Sequence, residues 1–230
     1  MVRSRPIGIW RLCSGDGGAL VPMDLSEFSS LRPLLFHLTA AENLDRIRAD
    51  SKLLSAATLL LSAHRGDLLS ERRREHVAIM TRGARVHIRD QRPLHSGAIE
   101  FQSGWDLARL VAELNQHVFF WPGSLRGPVE SGRNHFSRYQ SEGPVILRAP
   151  TWSLLGANAR RVPLFACVNS GAPRCSRGRR SPRGESTFCD ALTFSRTASS
   201  VVEVVFRDSV AVPRGTEVAS SPHGPWRPLF

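Results

Sequence analysis

Two ionisable side chains that could take part in chemistry lie within apolar runs far apart in the chain. His37 is the only ionisable residue of Leu34–Leu38, and Glu203 is the only one of Val201–Phe206. The neighbours of Glu203 are apolar on both sides, which predicts that both faces of its strand are covered. Because a buried carboxylate without a partner is costly, Glu203 needs either an arginine partner or a functional role. Simple alternation, with Glu203 turned to solvent, is the competing interpretation.

The residues around His37 predict how it would be positioned. His37 closes a strand, and Thr39 followed three residues later by Glu42 has the spacing of a capping box that starts a helix. Leu44 and Ile47 give that helix an inward face. Free N–H groups at a helix start favour an anion, so we expect His37 and an anion site to face one crevice.

Further stretches predict the elements around this crevice. Trp105–Leu114 has the apolar spacing of a buried amphipathic helix, and the bulky run Val118–Trp121 follows it as a strand. Strands are also expected on both sides of a turn at 81–84. The strand of Glu203 and the run 209–212 are expected to form a hairpin that closes the sheet.

Three stretches resemble, in the same order, motifs of the DarT-like ADP-ribosyltransferases or of an uncharacterised bacterial relative of that family. They are His37-Leu38-Thr39 with Asn43-Leu44 after it, the aromatic strand that ends in Trp121-Pro122, and the strand of Glu203. The resemblance covers about a quarter of the chain. It implies an α+β fold, with an ADP-ribosyltransferase-like split mixed β-sheet core, flanking helices and long loops. Residues 1–23 would be a loose extension, and 24–230 a single domain.

The same resemblance implies an NAD-dependent ADP-ribosyltransferase that modifies nucleic acid, DNA or RNA, as a bacterial toxin or phage-defence effector with an antitoxin partner. Glu203 and Arg89 would be catalytic, with Arg89 a candidate for the diphosphate and Arg126 its rival. The family has Asn-Pro-Arg where this chain has Trp121-Pro122-Gly123, which leaves the nicotinamide site and the target open. The residues implied to bind NAD are His37, Leu38, Thr39, Asn43, Phe120 and Trp121.

Composition is consistent with a nucleic-acid partner. The net charge is +11, and Lys52 is the only lysine, so nearly all of the basic charge is arginine. Arginine suits phosphate and base edges, although a GC-rich genome would also enrich it. An irregular stretch, 169–195, precedes the strand of Glu203 and is expected either to recognise nucleic acid or to be a solvated loop. The arginines expected to bind nucleic acid are Arg174, Arg177, Arg179, Arg180 and Arg183.

The remaining features exclude several classes of protein. The four cysteines, at 13, 167, 175 and 189, lack metal-ligand spacing, so we expect free thiols, no metal and a cytoplasmic location. No apolar run approaches the length of a membrane span, so no membrane partner is expected. The alternative function is a non-catalytic nucleic-acid-binding module on the same fold. A third possibility is NAD-dependent RNA 2′-phosphotransfer, for which the helix after His37 offers only Arg46 and Arg48.

Overall fold

A computed structural model describes residues 23–176 and 178–230 of the chain. The predicted extension 1–23 therefore lies outside the described residues except for Met23, whose N–H donates to the Phe194 carbonyl over 3.2 Å. The α-helices of the described ranges are α1 (Leu25–Leu31), α2 (Leu44–Asp50), α3 (Ala56–Ser62), α4 (Leu107–Asn115), α5 (Glu130–Tyr139) and α6 (Thr151–Ala157).

The strands of the same ranges are short, and most belong to one sheet. They are β1 (Leu34–Thr39), β2 (Lys52–Leu54), β3 (Val77–Thr81), β4 (Ala84–Ile88), β5 (Ile99–Phe101), β6 (His117–Ser124), β7 (Gly127–Pro128), β8 (Val145–Pro150), β9 (Leu164–Ala166), β10 (Ser181–Arg183), β11 (Cys189–Asp190), β12 (Glu203–Arg207), β13 (Ser209–Ala211), β14 (Glu217–Ala219) and β15 (Arg227–Pro228).

The central sheet has nine strands in the order β11-β9-β12-β6-β1-β8-β14-β15, with β7 beside β6. Every pairing within it is antiparallel. The predicted α+β class is confirmed, but the predicted mixed character of the central sheet is wrong. Apolar patterning reports which residues are buried, whereas strand direction depends on connections that the pattern does not encode.

Apolar side chains cover both faces of the sheet. Along β1, Leu35 joins one buried cluster with Phe120 and Val204, whereas the next residue, Phe36, joins another with Trp121. Successive strand residues point to opposite faces, so this alternation means that neither face of the central strands is open to solvent. The predicted burial of the Glu203 strand is therefore confirmed.

The two central strands separate partway along their length. The ladder between β1 and β6 runs from Leu34 opposite Gly123 to Phe36 opposite Trp121 and then ends. Beyond that point β1 continues to Thr39 paired with β8 alone, while the first half of β6 pairs with β12 on its other edge. The candidate site lies where β1 and β6 diverge.

Local predictions were partly right. The hairpin β3–β4 and the helix α4, which Asp106 caps, form as expected. The predicted capping box is wrong, because the turn after Thr39 is a short 3₁₀ segment whose N-cap, Ala40, makes no side-chain bond. The predicted hairpin of the Glu203 strand is also wrong, because β13 pairs with β2 instead.

Two findings bear on the predicted cell context. None of the helices in the described ranges combines the length and apolar character that a membrane crossing needs. Cys189 is disulfide-bonded, so the prediction of a free thiol at this position is wrong. Cys167 and Cys175 are free. The sequence offered no spacing from which to infer the cross-link.

Candidate functional site

A cavity of about 250 Å³ occupies the place where β1 and β6 separate. His37 at the end of β1 and Glu203 at the start of β12 both line it. Two residues 166 positions apart, singled out because each is the ionisable residue of an apolar strand, are thus brought to one cavity. The other predicted site residues that line it are Leu38, Thr39, Asn43, Arg89 and Trp121.

The carboxylate of Glu203 is buried, with 1% of the residue exposed. Its Oε2 accepts hydrogen bonds from the Ser170 hydroxyl at 2.6 Å and from the Ser170 N–H at 3.1 Å. Burial raises the pKa of Glu203 to about 7, against the lowering effects of the Ser170 bonds and of the charge on Arg183. The carboxyl group therefore changes its ionisation near neutral pH, as a group that accepts or delivers a proton should.

Arg183 holds the segment that carries Ser170. Its guanidinium donates to the carbonyl oxygens of Ser170 at 3.2 Å, Asn169 at 2.8 Å and Pro182 at 2.8 Å. It is also buried, with 1% exposed. The prediction that Arg183 contacts nucleic acid is therefore wrong, because its donors are used inside the protein and its charge acts on Glu203.

His37 presents a neutral imidazole to the cavity. Its Nδ1 lies 2.8 Å from the Phe119 carbonyl oxygen, so Nδ1 carries the proton and donates it. Desolvation lowers the pKa of His37 to about 4, against the effect of that bond. At neutral pH the remaining ring nitrogen, Nε2, is therefore a hydrogen-bond acceptor suited to a hydroxyl or an amide N–H.

Asn43 supports the wall beside His37. Its Nδ2 donates to Thr39 Oγ1 at 3.0 Å and to the His87 carbonyl at 2.9 Å, and its Oδ1 accepts from the His87 N–H at 2.9 Å. These bonds join the end of β1 to β4. Asn43 thus fixes the backbone of this wall, and Thr39 is held by the same amide.

Arg89 brings buried, unused donors to the cavity. Its Nε and Nη2 are both buried without a hydrogen-bond partner among the described residues. The guanidinium carbon lies 3.7 Å above the centre of the Tyr139 ring, and Nη2 is 3.6 Å from Glu142. Since unsatisfied donors on a charged group are costly, Arg89 is suited to an anionic or carbonyl-bearing ligand.

An aromatic wall completes the cavity. Trp121 stacks with His135, at 4.5 Å between ring centres, and His135 lies 5.0 Å from the Tyr139 ring. The indole N–H of Trp121 is buried and has no hydrogen-bond partner in the described part of the chain. Phe120, predicted to contact NAD, is not part of this lining; its ring packs against Phe206 in an apolar cluster, 5.5 Å from the centre of the His37 ring.

The predicted arginine loop does not act as one unit. Arg174, Arg179 and Arg180 are exposed, whereas Arg183 is buried. Arg177 lies outside the described residues. Within this stretch the structure also has the short strands β10 and β11, with β10 parallel to β5. The surface that these arginines offer to a partner is therefore smaller than the sequence implied.

A second charged cluster lies behind Arg89. Asp90, His76 and Glu142 bring ligand atoms within 4.8 Å of one another, a spacing that could hold a metal ion. However, Arg92 already donates to Asp90 Oδ2 at 2.9 Å and to Glu142 Oε1 at 2.6 Å. A cation would have to displace that guanidinium, so this cluster acts as an ion-pair network.

Sequence reasoning missed several residues of the site. Ser170 and His135 lie in irregular or polar segments and carry no local pattern. Arg73 is buried and donates to the Arg89 carbonyl at 3.0 Å and to Asn115 at 2.9 Å, although its charged neighbours suggest a solvated surface. The one signal in the sequence was that a buried Glu203 needs a partner, a place that Ser170 takes.

Comparison with known proteins gives a family and no function. A family described as "Family of unknown function (DUF7002)" matches residues 33–214. The chain belongs to this family. No curated protein and no solved structure matches the chain. The matched region of this DUF7002 protein runs from the residue before β1 to the residues after β13, and so includes the whole cavity wall described above.

Proposed function

We propose that this DUF7002 protein is an NAD-dependent ADP-ribosyltransferase that acts on nucleic acid. The observation that carries the proposal is the meeting of His37 and Glu203 at one cavity where two central strands diverge. A neutral acceptor and a carboxyl group that ionises near pH 7 suit the two ends of a nicotinamide riboside. The reaction class comes from the three stretches that resemble, in the same order, motifs of the DarT-like ADP-ribosyltransferases.

The chemistry assigned to Glu203 is electrostatic and basic. When the bond between nicotinamide and ribose C1′ breaks, its electron pair leaves with nicotinamide and positive charge develops on the ribose. An ionised Glu203 beside that ribose would stabilise the charge, and it would take the proton that the attacking acceptor group loses. Because the reaction needs the ionised carboxylate, activity should rise with pH through about 7, the pKa of Glu203.

The other residues have binding roles in this proposal. His37 would accept a hydrogen bond from a ribose hydroxyl or the nicotinamide amide. Trp121 would pack the nicotinamide ring, and its unused N–H would donate to the carboxamide. The Nε and Nη2 of Arg89, which make no hydrogen bond to the described residues, fit the NAD diphosphate, since a guanidinium fork matches phosphate oxygens.

The alternative, a non-catalytic nucleic-acid-binding module, makes a different demand of Glu203. In such a module a buried carboxylate would be expected to have a direct cationic partner, because charge burial without one is costly. Here the direct partner is the Ser170 hydroxyl and N–H, and Arg183 reaches only the backbone of that segment. This arrangement favours the enzyme.

The test is to incubate the protein with NAD labelled on the adenylate phosphate and with separate pools of DNA, RNA and protein. Label transferred to DNA or RNA, together with release of nicotinamide, is the expected result. Transfer to protein alone would overturn the nucleic-acid assignment. Neither transfer nor nicotinamide release in any pool would overturn the enzyme assignment.

A further inference from the structure

A second cavity, of about 290 Å³, lies directly behind the first. It opens between α5 and the segment 167–174, which contains Ser170. Three residues, His135, Asn169 and Ala172, line both cavities. The two spaces therefore share a wall, and Val202 beside Glu203 lines the second of them.

The second cavity carries unused positive charge. Arg138 from α5 and Arg174 from the loop both line it and are both exposed. Neither guanidinium has a hydrogen-bond or ion-pair partner among the described residues, whereas buried Arg183 at the same cavity uses its donors internally. Glu130 is the single acidic residue among the described residues of this lining, so the cavity favours an anion.

Neutral polar groups accompany the two arginines. Asn134, one turn before Arg138 on α5, is exposed at the cavity, and its only described bond is a long one of 3.5 Å to Glu130. His135 in the shared wall is neutral, because desolvation and the charges of Arg89 and Arg138 lower its pKa to about 3. Two cationic forks, an amide and a neutral aromatic ring are groups that bind a nucleotide unit.

The size of the second cavity distinguishes single-stranded nucleic acid from duplexes. A concave space near 290 Å³ is at the small end of ligand sites, which begin at about 300 Å³, and admits one nucleotide unit. A paired base within a duplex could not enter it without leaving the stack. The ligand class that fits is therefore a phosphodiester-linked nucleotide in a single strand, read partly through its phosphates.

From these observations we infer that the second cavity is the acceptor site, where Arg138 and Arg174 hold phosphates of a single-stranded nucleic acid beside the cavity of Glu203. The inference rests on the proposed function for the reaction, but the binding it describes does not require NAD. The same phosphate chemistry could come from the diphosphate of NAD, which the test separates.

The test measures binding of a fluorescent single-stranded oligonucleotide by anisotropy across salt concentrations. The double variant Arg138→Gln/Arg174→Gln is compared with Arg85→Gln/Arg214→Gln, which removes the same charge from exposed arginines that line neither cavity. Each phosphate contact to a single strand contributes about −0.7 to the log–log salt slope. The first variant should therefore bind more weakly and lose about 1.4 of that slope, while the second keeps it.

Two further measurements distinguish a failure of the acceptor site from a failure of the proposed function. NAD affinity, measured by calorimetry, should be unchanged in Arg138→Gln/Arg174→Gln. A loss of NAD affinity with oligonucleotide binding intact would overturn the acceptor site and would indicate that the second cavity binds the diphosphate of NAD. Equal oligonucleotide binding by both variants would also overturn it. If the parent releases no nicotinamide from NAD, the proposed function fails, while the oligonucleotide result still decides the site.

Discussion

Glu203 and Asp90 are both buried carboxylates near one cavity, yet their surroundings differ. Asp90 accepts from the Tyr139 hydroxyl at 2.8 Å and from Arg92, through its N–H and its Nε, at 2.9 Å each. Burial alone would raise the pKa of Asp90, but these bonds and the charge of Arg92 lower it. Within residues 23–176 and 178–230, Glu203 has Ser170 alone as its direct partner, and burial raises the pKa of Glu203.

The difference separates a structural carboxylate from one available for chemistry. Asp90 stays ionised and locks Arg92 and Tyr139 in place, so its charge is already neutralised. Glu203 lines the cavity with a pKa near neutral, a combination that marks functional sites more often than structural ones. Each prediction below changes one side of this comparison.

The largest effect should come from Glu203→Gln. If the carboxylate stabilises positive charge on ribose, nicotinamide release should fall by about a hundredfold or more, since loss of one electrostatic stabiliser costs about 10²–10³. The matched variant is Glu142→Gln in the network of Asp90. It should lower the rate less than about fivefold, because a partly exposed ion pair contributes about 1 kcal/mol or less. Equal losses of rate in the two variants would contradict the distinction between Glu203 and the network of Asp90.

The second prediction concerns stability against pH. The folded-state pKa of Glu203 lies above the value of 4.5 expected in the unfolded chain, so the folded state binds more protons between pH 4.5 and about 7. Glu203 should therefore lower the unfolding free energy as pH rises through this window, by about 3 kcal/mol in all.

Glu203→Gln should remove this decline, so the variant should gain stability over the parent between pH 5 and pH 8 in denaturant titrations. Asp90 acts with the opposite sign, because its pKa is lowered from 3.8 and its contribution is lost only as the pH falls below that value. A stability difference between the variant and the parent that does not change with pH would contradict the raised pKa.

The third prediction tests how Ser170 tunes Glu203. Ser170→Ala removes the 2.6 Å hydroxyl bond and leaves the backbone N–H bond. Since both bonds lower the pKa of Glu203, the variant should have a higher one, and its activity should fall more at pH 6 than at pH 8. A loss of the same size at both pH values would show a packing defect instead.

The smallest effect should come from Tyr139→Phe on the Asp90 side. This change removes the 2.8 Å bond to Asp90 but leaves an aromatic ring beneath Arg89. We expect a loss of about 1 kcal/mol of stability, the usual value for one hydrogen bond, and nicotinamide release close to the parent's. A large loss of activity would mean that the Asp90 network takes part in the chemistry.

The sequence predicted those parts of the site that local pattern encodes. His37 and Glu203 stand out because each interrupts an apolar strand, and the burial of Glu203 follows from the apolar residues on both sides of it. The partner of Glu203 could not be predicted, since Ser170 lies in a loop and meets Glu203 only through the fold. Arg183 looked like its neighbours in the sequence, but strand β10 carries it inward. Phe120 does not line the cavity, and the sequence could not show this, because Phe120 and Trp121 are both bulky apolar residues of one buried strand.

The central claim is that the cavity between His37 and Glu203 holds the nicotinamide riboside end of NAD. A crystal structure of the Glu203→Gln protein grown with NAD tests it most directly, because this variant should bind NAD without consuming it. The account predicts nicotinamide against Trp121, a ribose hydroxyl bonded to His37 and ribose C1′ beside the side chain at position 203. NAD bound outside this cavity, or no NAD at a saturating concentration, would contradict it.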